Sequence, residues 1–129
     1  VLRAIFIRKG SIGEKTTLIN DPNQDLLDTQ RAILNFGEIA IVCCTQAESS
    51  WTLLTDSRLI VASENNIVAL DYENITLVSL MPVGILPKRK DKISQIFIEN
   101  NQGETFMLDL EAGRPIFGIY QILHYIVGR

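Results

Sequence analysis

WTLLTDSRLIVASENNIVALDYENITLVSL, residues 51–80, decides the fold. Its apolar segments are only five or six residues long and are separated by Asp56-Ser57, Asn65-Asn66 and Glu73-Asn74, residues that tolerate tight or left-handed backbone. Segments this short, rich in Val, Ile, Leu and Thr, predict consecutive antiparallel strands rather than helices. Working outward, the same texture continues on both sides. Seven strands are expected, over 39–44, 51–55, 58–63, 67–71, 75–80, 93–99 and 105–110, with Ser49-Ser50 and Asn101-Gln102-Gly103 as further turns.

The flanks read differently. After the last strand, Gly113-Arg114-Pro115 opens a helix that carries Ile116, Ile119, Tyr120, Leu123, Ile126 and Val127 on one face and turns Gln121 and Tyr125 away from it. Before the first strand, residues 2–7 are apolar and β-branched enough to predict a strand, followed by a loop with Gly10 and Gly13. Asp21-Pro22-Asn23-Gln24 then starts a second helix, with Leu26, Leu27, Ile33 and Leu34 on one side and Asp28, Arg31 and Asn35 on the other. Gly37 should end it. No repeat, low-complexity tract or linker divides the chain, so the expectation is a single domain over 1–129. It comprises a strand-helix extension over 1–36 and a β core over 37–129.

Within that core, Leu53-Leu54-Thr55-Asp56-Ser57-Arg58-Leu59-Ile60, followed by Tyr72-Glu73-Asn74-Ile75 and Val78, resembles the bacterial pleckstrin homology-like and GRAM-like pattern. There, a Leu-Thr turn leads to Arg-Leu and a later Tyr-x-x-Ile precedes the next strand. Gly37-Glu38 before the first strand is similar to the start of that pattern, so the resemblance covers residues 37–129. Members often carry Asp where Asn74 stands, and Asn suits the same turn geometry. The resemblance implies a mainly β fold, a seven-stranded orthogonal sandwich or open barrel capped by the C-terminal helix, with no enzymatic activity typical of it. Such domains serve lipid headgroups, peptides, protein partners or self-assembly, and fold alone does not choose among them.

Composition narrows the choice. The chain has 129 residues, 47% of them hydrophobic, enough for one core without disulfides or metal. Twelve basic against fifteen acidic residues leave a net charge of −3, so no global field attracts nucleic acid or anionic lipid. No strand interleaves basic with aromatic residues, so no nucleic-acid partner is expected. Two cysteines adjacent in sequence do not form a structural disulfide framework, which fits a reducing, cytoplasmic compartment. Neither a signal peptide nor a membrane-spanning apolar run is apparent.

Candidate sites are few. Lys88, Arg89, Lys90 and Lys92 form the one dense basic run. They offer contact with an anionic membrane surface at about 1 kcal/mol per basic residue, or simply a solvated loop. The loop 45–50, where the resemblance would place phosphoinositide-binding bases, holds Glu48 and no base. Gly10-Ser11-Ile12-Gly13 lacks the spacing of a phosphate-binding loop. Cys43 and Cys44 would face opposite sides of a strand and His124 is the sole histidine, so no metal or cofactor is expected and the thiols read as buried structural groups. His124 should flank the docking face of its helix beside Phe117. Asp56, Asp71, Glu73, Asp109 and Glu111 are scattered over turns and strand ends, and Arg58 should be structural, pairing with an acid such as Asp71 or Glu73 or bonding a carbonyl across the sheet. Trp51 reads by default as core, while its place at a loop mouth leaves partner contact open; Phe117, Ile122 and Tyr125 on the last helix are further candidate partner contacts.

These residues point to a non-catalytic binding or scaffolding module that contacts protein, or a second copy of itself, through strand edges or the helix flank. Peripheral membrane binding through residues 88–92 ranks second. A thiol enzyme using Cys43 or Cys44 with His124 ranks last.

Overall fold

A computed structural model describes residues 1–64, 66–80 and 93–129. The seven strands expected in the β core are present: β2 (Ala40–Ala47), β3 (Ser50–Thr55), β4 (Arg58–Ser63), β5 (Asn66–Asp71), β6 (Ile75–Ser79), β7 (Gln95–Asn100) and β8 (Thr105–Asp109). A short strand that the sequence did not announce, β1 (Thr16–Leu18), precedes them. Pairing is antiparallel between chain neighbours and gives two sheets, β1-β2-β3-β4-β5 and β6-β7-β8. The fold is therefore mainly β. Among the described residues the sheets do not join into a closed barrel, and the C-terminal helix α4 (Arg114–Gly128) packs against both the second sheet and the 3-10 turn Tyr72–Asn74.

Turn chemistry sets the registers. Asp56-Ser57 joins β3 to β4 with Leu54 opposite Leu59, and Glu64 takes the left-handed conformation (φ 51°) at the end of β4. Asn66, expected in that turn, instead opens β5 opposite Ser63. Asn65 lies outside the described residues.

Two expectations fail in the N-terminal third. Residues 2–7 are not a strand but part of helix α1 (Leu2–Lys9). The buried positions Leu2, Ile5 and Phe6 are spaced three and four apart while Ile7 is exposed, so tertiary burial follows the helical period and overrides β-branched content. The single amphipathic helix expected after Asp21 is two short ones, α2 (Pro22–Asp25) and α3 (Asp28–Ile33), parted by extended backbone at Leu26 and Leu27. Asp21 caps α2 through the Asn23 amide as its sequence position implied. The Asp25 carboxylate accepts from the amides of Asn20 and Asp21, and the Gln30 side chain accepts from the Leu27 amide. The Leu27 amide is one that a continuous helix would have paired, and those of Asn20 and Asp21 precede the first turn and need a side-chain acceptor in either case.

In the first sheet, β2, β3 and β4 are buried on both faces. Val42, Cys44, Leu54 and Leu59 face a large core shared with α1, the second sheet and α4. Cys43, Leu53 and Ile60 face a smaller one, closed by Ile19 and Leu26 with Ile33 and Leu34 packed against it. Double-sided burial explains why these strands read as unbroken apolar runs instead of alternating ones.

α1 and α4 meet where both backbones lack a side chain. A Cβ on Gly118 would lie 2.6 Å from the Phe6 ring, and one on Gly10 would lie 2.5 Å from Gly118 Cα. α4 is thus covered by the sheet and by α1 together. Its buried arc is wider than one stripe, which is why Ile122, expected on an exposed flank, is fully buried.

Candidate functional site

Glu38, Thr55, Ser57, Arg58 and Tyr72 converge on one polar network. Glu38 follows a turn in which Gly37 adopts φ 81° and the Glu38 amide donates to the Asn35 carbonyl at 3.0 Å. A residue with a Cβ would be strained at Gly37. The pairing of β2 with β3 sets Ala40 opposite Thr55 and so carries Glu38 to the β3–β4 turn. There its carboxylate takes a two-point contact from Arg58, with Nε to Oε2 at 2.9 Å and Nη2 to Oε1 at 2.7 Å.

The other partners complete the carboxylate. Oε2 accepts from the hydroxyls of Thr55 (2.6 Å) and Ser57 (3.1 Å), and Oε1 from the Asn35 amide (2.9 Å). Arg58 Nη2 also donates to the Ile33 carbonyl at 3.0 Å, which ties the end of α3 to the sheet. Thr55 Oγ1 accepts from the amides of Ser57 and Arg58, and the buried Tyr72 hydroxyl donates to the Thr55 carbonyl at 2.5 Å.

Electrostatics follow this geometry. The Glu38 side chain is 3% exposed and that of Arg58 15%. The Arg58 hydrogen bonds outweigh the opposing effect of burial and hold the Glu38 carboxyl down at about 2, while the same contact raises the Arg58 pKa. Burial foremost, then the carboxylates of Asp56 and Glu38, push the Tyr72 phenol well above its ordinary range. The network holds permanent, matched charges and an un-ionised phenol. Its chemistry is that of a clamp.

What it clamps is a turn with an apolar tip. Phe36 is fully exposed and Ile39 is 61% exposed, on either side of Gly37-Glu38. The Ile39 amide is itself held by the Asp56 carboxylate at 3.1 Å. Sequence reasoning missed Phe36. The signal was available in an aromatic residue placed directly before a turn glycine, off the apolar period of the preceding helix.

The expected site residues are dispersed. Trp51 is 3% exposed and belongs to the smaller core, so it is not a surface contact. Its strand is covered by the α2–α3 segment, which the sequence did not assign to that face. Of the helix-flank trio, Ile122 is fully buried, Phe117 half-buried against the core and Tyr125 exposed, so they form no common surface. Arg58 pairs with Glu38 rather than Asp71 or Glu73, although Asp71 stands opposite it in β5. The bond from Arg58 to a carbonyl goes to Ile33 at the end of α3 and not, as expected, across the sheet. Lys88, Arg89, Lys90 and Lys92 lie outside the described residues.

Cys43 and Cys44 are free, buried and on opposite faces of β2. Burial pushes the Cys43 thiol up to about 11 and raises that of Cys44. His124 is exposed and stacks on the Tyr120 ring at 5.6 Å. One turn of helix separates the two rings, which puts them on the same side. Among the described residues, no three His, Cys, Asp or Glu side chains are grouped to hold a metal ion, and no helix is long and apolar enough to cross a membrane.

The glycine loop before β1 binds an acid of the chain itself. Glu111 accepts from the amides of Glu14 (2.8 Å) and Lys15 (3.0 Å) and from the Thr16 hydroxyl (2.8 Å). Burial alone would raise the Glu111 carboxyl, but the Thr16 hydroxyl and the loop amides overcome it and lower the pKa. A Cβ at Gly13 would sit 2.4 Å from the carboxylate, so a larger residue there would displace the end of the Glu111 side chain. Compared with protein-family models, with curated proteins and with solved structures, the chain matches none.

Proposed function

We propose that this chain is a non-catalytic protein-interaction module of pleckstrin homology-like architecture that docks through the turn 35–39, with Phe36 as the anchor. The observation that carries this reading is a fully exposed Phe36 on backbone fixed by the buried Glu38–Arg58 pair. Burying such a side chain in a partner's pocket contributes about 1.5–3 kcal/mol. A turn already held in place loses little conformational entropy on binding, so more of that energy appears as affinity. Aromatic anchors at the centre of an interface commonly dominate its energetics.

The architecture rests on element order: β2 to β5, then β6 to β8, then α4. The buried, proton-retaining thiols, with His124 away on the helix surface, support a binding role over thiol catalysis. The test is quantitative affinity capture from the native cell with the parent chain, Phe36→Ala and Gln102→Ala, the last at the exposed turn between β7 and β8. A defined set of proteins lost with Phe36→Ala and kept with Gln102→Ala supports the reading. Equal capture by all three chains overturns it.

A further inference from the structure

β5 is the last strand of the five-stranded sheet, hydrogen-bonded to β4 along its whole length from Asn66 opposite Ser63 to Asp71 opposite Arg58, with no bulge. Among the described residues no strand pairs with its other edge. Alternation of the antiparallel ladder leaves every second residue of that edge with its N–H and C=O turned outward. Sheets ordinarily guard such an edge with charge, proline, a bulge or short length. Two other edges show these devices: β1 has three residues and follows Lys15, and β6 has a register shift between Ile75 and Leu77; β8, like β5, has an aspartate at its end as its one charge. From Asn66 to Leu70, β5 carries no charge, proline or glycine, and Ile67 on its solvent face is 52% exposed.

We infer that the β5 edge pairs antiparallel with β5 of a second copy of this chain, making a two-fold dimer with a continuous ten-stranded sheet. The side chains favour one register. A two-fold axis perpendicular to the sheet keeps the faces of both copies aligned, so residues pair only in registers centred on a residue. Centred on Val68, each Ile67 lies over Ala69 of the other copy, Val68 meets Val68, and Asn66 meets Leu70. Both Asp71 carboxylates then fall outside the Asn66–Leu70 pairing. Centred on Ala69, Ile67 would instead face Asp71, an apolar-charged pair. The Val68 register buries the exposed isoleucines and opposes no like charges. The area of one strand pair is below the roughly 1,000 Å² of a stable interface, so the dimer is reversible and depends on concentration.

Sedimentation velocity from low micromolar to submillimolar protein tests this on the parent chain, Ile67→Lys, Ala69→Lys and Phe36→Ala. Both lysines sit on the solvent face, and near-ultraviolet circular dichroism of the buried Trp51 verifies that each variant is folded. The expected result is a parent mass that rises with concentration toward twice 14.5 kDa, lysine variants that remain monomeric, and a Phe36→Ala chain that dimerises like the parent. A parent that stays monomeric throughout, that grows beyond a dimer, or that dimerises equally with either folded lysine variant overturns the inference. Loss of dimer in Phe36→Ala alone would assign self-association to the turn instead of the edge.

Discussion

Replacing Glu38 with Gln keeps the shape of the side chain and removes its charge, so it isolates what the Arg58 pair contributes. The carboxyl moves from an ordinary 4.5 down to about 2 in the folded chain. At about 1.4 kcal/mol per unit this corresponds to about 3 kcal/mol of folding stability at neutral pH. Removing one member of a buried pair costs about 3–5 kcal/mol, and Gln retains some of the five hydrogen bonds, so a loss of about 2–3 kcal/mol is expected. For a chain of this size that lowers Tm by roughly 10 °C.

The sign with pH is definite. A depressed carboxyl stabilises the fold above its unfolded pKa and loses that contribution as pH falls from about 4.5 towards about 2. Urea unfolding followed by Trp51 fluorescence at neutral pH and in steps down to pH 3 therefore shows a gap between parent and Glu38→Gln that narrows with acid. A gap under about 1 kcal/mol at neutral pH, or one constant across that range, refutes the reasoning.

Further outcomes follow from other contacts. Gly118→Ala places a methyl against Phe6 at the α1–α4 crossing and should destabilise by about 1–3 kcal/mol in the same unfolding assay, with α1 amides losing protection in hydrogen exchange. Glu111→Ala leaves the loop amides of Glu14 and Lys15 and the Thr16 hydroxyl unpaired, and should cost about 1–2 kcal/mol. Cys43 and Cys44 should react with a disulfide reagent at pH 8 only at the rate of unfolding, so that reaction accelerates with urea. A protein-binding role predicts no co-sedimentation with anionic vesicles at physiological salt; binding abolished by charge reversal of Lys88, Arg89 and Lys90 would favour the membrane reading.

What the sequence made legible was local. The β3–β4 and β7–β8 turns carry their own chemistry, and α4 carries its own period, so these elements can be read from short windows. α1 and the break between α2 and α3 were not legible. Their conformations answer to distant surfaces: Phe6 to Gly118, and Leu26 to the outer face of a sheet that the pattern did not show to be buried twice. The site divides in the same way. Arg58 could be read as a structural residue from its place in the motif, but its partner is twenty positions away and is delivered by strand pairing. Trp51 is in the core as its default reading had it, whereas Ile122 was misread because burial depends on what covers a helix, which spacing alone does not contain.

The central claim is that the Glu38–Arg58 clamp holds Phe36 ready for a protein partner. A photo-crosslinking residue placed at position 36 in the native cell, with and without Glu38→Gln, and at position 102 for comparison, tests it most directly. The account predicts one discrete adduct from position 36, absent from position 102 and reduced several-fold when the clamp is broken. The same adducts from both positions, or a yield from position 36 indifferent to Glu38→Gln, would contradict it.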